Sequence, residues 1–191
     1  MTGDKKILLG HGSGGKLSHE LIKEVFFRHF QNPILAQFGD SAIVELPQLQ
    51  NLKSKLRNPN SAFRTRVAFT TDSFVVKPLF FPGGDIGRLA ISGTVNDLAV
   101  MGARPLFLST AFILEEGLEM SLLERVVSSM KETAMEAGVI ISTGDTKVVE
   151  KGSADELYIN TAGIGVVENS LCISPDRIKT GDKILLSGTL G

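Results

Sequence analysis

The spacing of apolar residues changes along the chain, and each change marks an expected element. Ile7 to Leu9 is a short apolar run that leads into the loop Gly10-His11-Gly12-Ser13-Gly14-Gly15. Leu17, Leu21, Ile22, Val25 and Phe26 then recur at three- and four-residue spacing, which predicts a helix with Pro33 beyond its end. Ala42 to Leu46 reads as a strand, and Val67–Thr71 and Phe74–Val76 read as strand with Asp72 between them. After the Pro82-Gly83-Gly84 breaker, Ile86 to Met101 predicts a second helix. Leu106 to Leu114 is a strand apolar enough to be buried on both faces. Ser121-Leu122-Leu123-Glu124 has capping-box form. It opens a helix with Leu122, Leu123, Val126, Val127, Met130, Ala134 and Ala137 on one face, and Gly138 ends it. Val139–Ile141 and Leu157–Val167 read as strands flanking a loop, Thr143-Gly144-Asp145-Thr146-Lys147, and Lys183–Ser187 reads as the last strand.

This mixed order predicts the α+β class, a sheet with helices on one face. The chain has 191 residues, which suits one domain or slightly more at roughly 150 residues per domain. Hydrophobic residues make up 42% and charged residues 21%, a balance that excludes a disordered chain. Twenty Lys+Arg against twenty-one Asp+Glu gives no global field for nucleic acid or a membrane surface. No apolar run approaches the ~20 residues that span a bilayer, and Met1–Gly10 lacks the apolar core of a signal peptide. A cytoplasmic protein with neither nucleic-acid nor membrane partners is expected. The single Cys excludes an internal disulfide framework and a multi-Cys zinc site. It lies between apolar neighbours as Cys172 and reads as a small core residue. Charge is uneven in one place. Residues 47–66 carry Lys53, Lys55, Arg57, Arg64 and Arg66 and no acidic residue. That stretch reads as a basic surface insertion or, alternatively, as a docking patch for an acidic partner.

Gly10, Gly15 and Lys16 satisfy the spacing of a P-loop, but Leu17 stands where the magnesium-binding hydroxyl is required. What remains is a glycine-rich backbone, Gly12 to Gly15, able to wrap anionic oxygens ahead of a helix N-terminus. Four aspartates lie in apolar or glycine-rich surroundings: Asp40, Asp72, Asp97 and Asp145. Each alone could be a turn or strand-end residue. Asp97 is the most informative. Between Ile86 and Met101 its one charged companion is Arg88, about two and a half turns away and on the opposite side of a helix. A buried carboxylate without a partner is costly, and a divalent cation would offset that cost. Mg²⁺ takes oxygen ligands together with substrate phosphates, so these carboxylates and the glycine loop suggest a nucleotide–Mg²⁺ site. Lys147, two residues after Asp145, would share its face on an extended chain and could bind a phosphoryl oxygen or move a proton.

Several longer strings carry a resemblance. They are His11-Gly12-Ser13-Gly14-Gly15, Thr70-Thr71-Asp72-Ser73, Pro78 to Gly87, Asn96 to Ala103, Ile113 to Leu118, Thr143 to Val149 and Ile159 to Gly163. Through them the chain resembles the HypE family of hydrogenase maturation factors, within the superfamily of aminoimidazole ribonucleotide synthetase, selenophosphate synthetase and thiamine-monophosphate kinase. The resemblance implies a ferredoxin-like sheet that pairs with a second copy into a β-barrel dimer, with ATP and Mg²⁺ as cofactors. It implies dehydration of a carbamoyl group on a C-terminal Cys to a thiocyanate. That group is received from the carbamoyltransferase HypF, and the cyano group passes to iron on the HypC–HypD complex. It carries Asp40, Asp72, Asp97 and Asp145 over as metal ligands. Gly12, Ser13, Gly14, Gly15, Asp72, Asn96, Asp97, Gly144, Asp145, Thr146 and Lys147 follow as nucleotide contacts, and Lys147 and Asp97 as catalytic groups. Residues 1–170 then form the ATP-binding and dimerisation domain. Residues 171–191 form a linker and the first strand of a second domain. The acceptor Cys of that chemistry is not Cys172, so the chain by itself is expected to lack turnover. Two other readings remain: a docking module for other maturation proteins, and an enzyme of the same superfamily with another substrate.

Overall fold

The computed structural model describes residues 15–37, 41–45, 66–167, 173–186 and 188. The loop of Gly12, Ser13 and Gly14, Asp40, Cys172 and nearly all of the basic stretch fall outside them.

The first apolar repeat forms helix α1 over Lys16–Leu21, continues as a π-helical stretch over Ile22–Phe27, and closes with the short turn α2 over Arg28–Phe30. Strand β1 covers Ala42–Glu45 and strand β2 covers Arg66–Phe74. Asp72 does not interrupt β2, because the strand pairs without a break from Arg66↔Val167 to Phe74↔Ile159. A small hairpin of β3 (Phe80–Phe81) and β4 (Gly84–Asp85) leads into helix α3, Ile86–Val100. Strand β5 is Ala103–Glu115 and helix α4 is Met120–Ala137. Strands β6, Ile140–Val149, and β7, Leu157–Val167, complete the sheet.

The five long strands run in the order β1-β2-β7-β5-β6, with β5 and β6 parallel and the other neighbours antiparallel. The α+β expectation therefore holds, with a mixed sheet. Along β7 the side chains alternate strictly: Leu157, Ile159, Thr161, Gly163, Gly165 and Val167 are buried and the intervening ones are not. The buried row meets α3 and α4. Ile86, Ile91, Leu108, Val126, Met130 and Ile159 form the main core there, and Ala68, Leu98, Ala103 and Val167 a second cluster.

Four expectations change. Residues Thr143–Lys147 are not a loop: they continue β6, with Ser109↔Thr143 through Ile113↔Lys147 in register against β5. Pairing supplied by the neighbour overrides a polar run without apolar alternation. Strand β5 is buried on one face only, since Phe107 and Ile113 are exposed while Leu108 and Thr110 are buried. Ser121 does not cap α4: the N-cap is Glu119, without a side-chain cap bond, while Gly138 ends the helix in the left-handed region at φ 66° as expected. Residues 183–186 form no strand. The five strands of this one chain form an open sheet, and the barrel is an expectation for two copies.

Candidate functional site

Two of the aspartates come together at the seam between β2 and α3. Asp72 lies on the helix-facing side of β2, in step with Ala68 and Thr70, which are buried. A β-carbon at Gly93 of α3 would stand 3.8 Å from Asp72 Oδ2 and 2.9 Å from the Phe74 ring, so this glycine lets the strand approach the helix. Asp97 is four residues beyond Gly93 and so on the same helix face, about 6 Å along the axis. Its Oδ2 accepts a hydrogen bond from Thr70 Oγ1 at 2.9 Å, and its main-chain carbonyl accepts one from Ser41 Oγ at 2.9 Å. Arg88, by contrast, points outward and pairs with Glu136 of α4 at 3.1 Å. The sequence-based separation of Arg88 from Asp97 is thus borne out. A hydroxyl partner for Asp97 was not foreseen, although Thr70 shares the strand face of Asp72 by simple alternation.

Asp145 and Lys147 lie elsewhere. In β6 they stand opposite Ala111 and Ile113, on the sheet face that α3 and α4 leave open, and both are exposed. From β2 to β6 is three strand spacings, roughly 14 Å. One chain therefore does not bring Asp145 beside Asp72 and Asp97, and among the described residues no three His, Cys, Asp or Glu side chains form a metal cluster. At Gly144 a β-carbon would meet the Thr110 carbonyl oxygen at 2.6 Å, so the absence of a side chain lets β6 lie against β5. Thr146 stands opposite Phe112, and Asn96 is exposed on α3 next to Asp97. Gly15 caps α1 with extended backbone.

The open face holds one polar centre that sequence reasoning did not single out. Asn160 Nδ2 donates to the Asp72 carbonyl oxygen at 2.8 Å and to Ser73 Oγ at 3.0 Å, tying β7 to the Asp72 segment. A separate groove of about 310 Å³ lies at the far end of β5, lined by Glu115, Glu116, Gly117, Leu118, Glu119, Leu122, Lys151 and Glu156. Glu115 is fixed there by the main-chain N–H groups of Gly152 and Glu156, which hold its carboxyl below the usual range. Nearby, the Asp155 carboxylate bonds to Lys77 and raises its ammonium above the ordinary value.

The β2–α3 seam thus offers two carboxylates and a hydroxyl. These oxygen donors suit a hard divalent cation that keeps waters and phosphate oxygens as its other ligands.

A family profile for the N-terminal domain of AIR synthase related proteins matches residues 58–167. The carbamoyl dehydratase HypE of Escherichia coli (strain K12) is 51% identical over 185 residues, covering 97% of this chain and 52% of that protein. A HypE in a HypE–HypF complex superposes with a TM-score of 0.64 at 51% identity, over 77% of this chain and 42% of that one. A HypE in complex with ATP gives a TM-score of 0.53 at 52% identity, over 85% and 44%. The chain spans about half the length of the curated relatives it matches. With strands β2, β5, β6 and β7, helices α3 and α4, and the Asp72 and Asp97 segments inside the matched span, the chain belongs to the family of AIR synthase related proteins, as an N-terminal domain.

Proposed function

We propose that this chain is the nucleotide-binding part of an ATP-dependent carbamoyl dehydratase of hydrogenase maturation. The observation that carries this reading is identity of about half its residues, over nearly its whole length, with a carbamoyl dehydratase HypE. The presence of Asp72, Asp97 and Thr70 on one seam supports it. In this reading Asp72 and Asp97 hold Mg²⁺, with Asp40 and Asp145 as further ligands. Gly12 to Gly15, Asn96, Gly144, Thr146 and Lys147 lie along the nucleotide, and Gly144 contributes through main-chain shape. Bound Mg²⁺–ATP supplies the phosphoryl group that turns a carboxamide oxygen into a leaving group. Lys147 is the base that removes an amide proton as that oxygen departs. Cys172 is not the acceptor thiol in this reading, and turnover is proposed for a protein of the relatives' full length. HypF delivers the carbamoyl group, and the HypC–HypD complex receives the product.

The distance between the seam and Asp145 favours a homodimer. Closing two open sheets into one barrel brings edge strand β6 of one copy against edge strand β1 of the other. The second copy's β6, which carries Asp145, would then lie beside the β1 strand that follows Ser41. Titration calorimetry with Mg²⁺–ATP tests the site. Asp97→Ala and Asp145→Ala are each expected to weaken binding at least about tenfold, the scale of one lost charged ligand. Wild-type affinity in the double variant would remove the assignment.

A further inference from the structure

The Asp97 carboxylate is held by the Thr70 side chain, whose hydroxyl proton is directed at it and not at a cation. Thr70 is 5% exposed and sits two residues before Asp72 on the helix-facing side of β2. Its hydroxyl donates to Asp97 Oδ2 at 2.9 Å. At the same residue, Ser41 Oγ donates to the Asp97 main-chain carbonyl at 2.9 Å. That carbonyl belongs to the last turn of α3. Two hydroxyls from outside the helix therefore fix Asp97 at two points, one on its backbone and one on its carboxylate. A carboxylate on an aspartate side chain otherwise turns about two torsions. Mg²⁺ demands near-ideal octahedral geometry at about 2.1 Å, so it responds sharply to the direction in which a ligand oxygen is aimed.

We propose that Thr70 is a positioning residue for the Asp97 carboxylate: its hydroxyl holds Oδ2 and so sets the orientation in which Asp97 meets a divalent cation. This rests on Asp97 being a cation ligand. The test uses Mn²⁺ as the probe, titrated into ATP-saturated protein and followed by the paramagnetic resonance of free Mn²⁺. Binding of metal-free ATP is measured alongside by calorimetry. Thr70→Val keeps the shape and removes the hydroxyl. It is expected to weaken Mn²⁺ binding about tenfold, the scale of one hydrogen bond to a charged group, with metal-free ATP binding unchanged. Thr70→Ser is expected to restore Mn²⁺ affinity to within about twofold of wild type. Wild-type Mn²⁺ affinity in Thr70→Val overturns the proposal, and so does an equal loss in metal-free ATP binding. Thr70→Ala serves where Thr70→Val does not fold, and failure of both to fold assigns the hydroxyl to stability alone and overturns it. Asp97→Asn separates the two levels. If it binds Mn²⁺ as wild type does, the cation reading itself falls. If it loses Mn²⁺ while Thr70→Val does not, only the role of Thr70 falls.

Discussion

Gly144 stands where no side chain fits. A β-carbon would lie 2.6 Å from the Thr110 carbonyl oxygen and 3.3 Å from its hydroxyl, and β5 cannot retreat because β7 holds it on the other side. Gly144→Ala is therefore expected to cost about 1–3 kcal/mol, the range for forcing a methyl into packed structure, and thermal unfolding checks it. An unchanged midpoint would show that β6 shifts freely. The glycine was legible as special; its reason was not, because the sequence shows the residue and hides the carbonyl across the ladder. Glu115 carries a pH dependence of definite sign. Two main-chain N–H groups donate to its charged form and lower its p*K*a in the folded state. The folded chain then takes up this proton at lower pH than the unfolded chain. The stabilisation is complete above the ordinary carboxylate value and is lost as pH falls through the lowered one. Wild type should exceed Glu115→Gln in urea midpoint at neutral pH, and the gap should close as pH falls below the ordinary carboxylate range. A gap that stays constant across the range would assign the difference to packing.

At the scale of elements, the join between hairpin and helix is set by one carboxylate. Asp85 Oδ1 accepts from the main-chain N–H groups of Gly87 at 2.7 Å and Arg88 at 3.1 Å, capping α3. Its Oδ2 accepts from Ser129 Oγ at 2.6 Å, so the same side chain ties α3 to α4. Asp85→Ala is expected to cost about 1–2 kcal/mol, the upper part of the range for N-caps, and Ser129→Ala less, as read by chemical denaturation. Equal losses would place the whole effect in the link between the helices. Periodicity and breakers made α3, α4 and β7 legible, because their buried faces repeat at the helix or strand period without interruption. The β6 strand was hidden by Ser142 to Lys147, a polar run whose extended form is fixed by parallel pairing with β5 rather than by its own pattern. The start of α4 was misread by two residues, since Glu119 takes the cap position without a side-chain bond. Site residues were legible individually, as aspartates among apolar neighbours. Their division between two faces of the sheet was not, since it depends on strand order and register.

For the whole molecule, that division and the open sheet face point the same way. Phe69, Ile164 and Phe107 stand side by side across β2, β7 and β5, at 47%, 42% and 44% exposure, with Ile140 next to them on β6. Isolated exposed apolar residues are ordinary, but a contiguous row across four strands marks a contact surface. A second copy on that face would cover the row and, in the proposed barrel, set its own β6, with Asp145, beside β1. Replacing Ile164, near the middle of the row, by Lys is expected to weaken self-association at least about tenfold in sedimentation equilibrium, by burying an unpaired charge. A site shared between two copies would have a sharper consequence. In a two-fold dimer with composite sites, Asp97→Ala and Asp145→Ala homodimers each have both sites damaged. Mixed heterodimers hold one site with both changes and one with neither. After free exchange of subunits, about a quarter of all sites should regain wild-type Mg²⁺–ATP binding, measurable by calorimetry. If each site lies within a single chain, mixing restores nothing, and Asp145 must then act on its own chain through a rearrangement of β6.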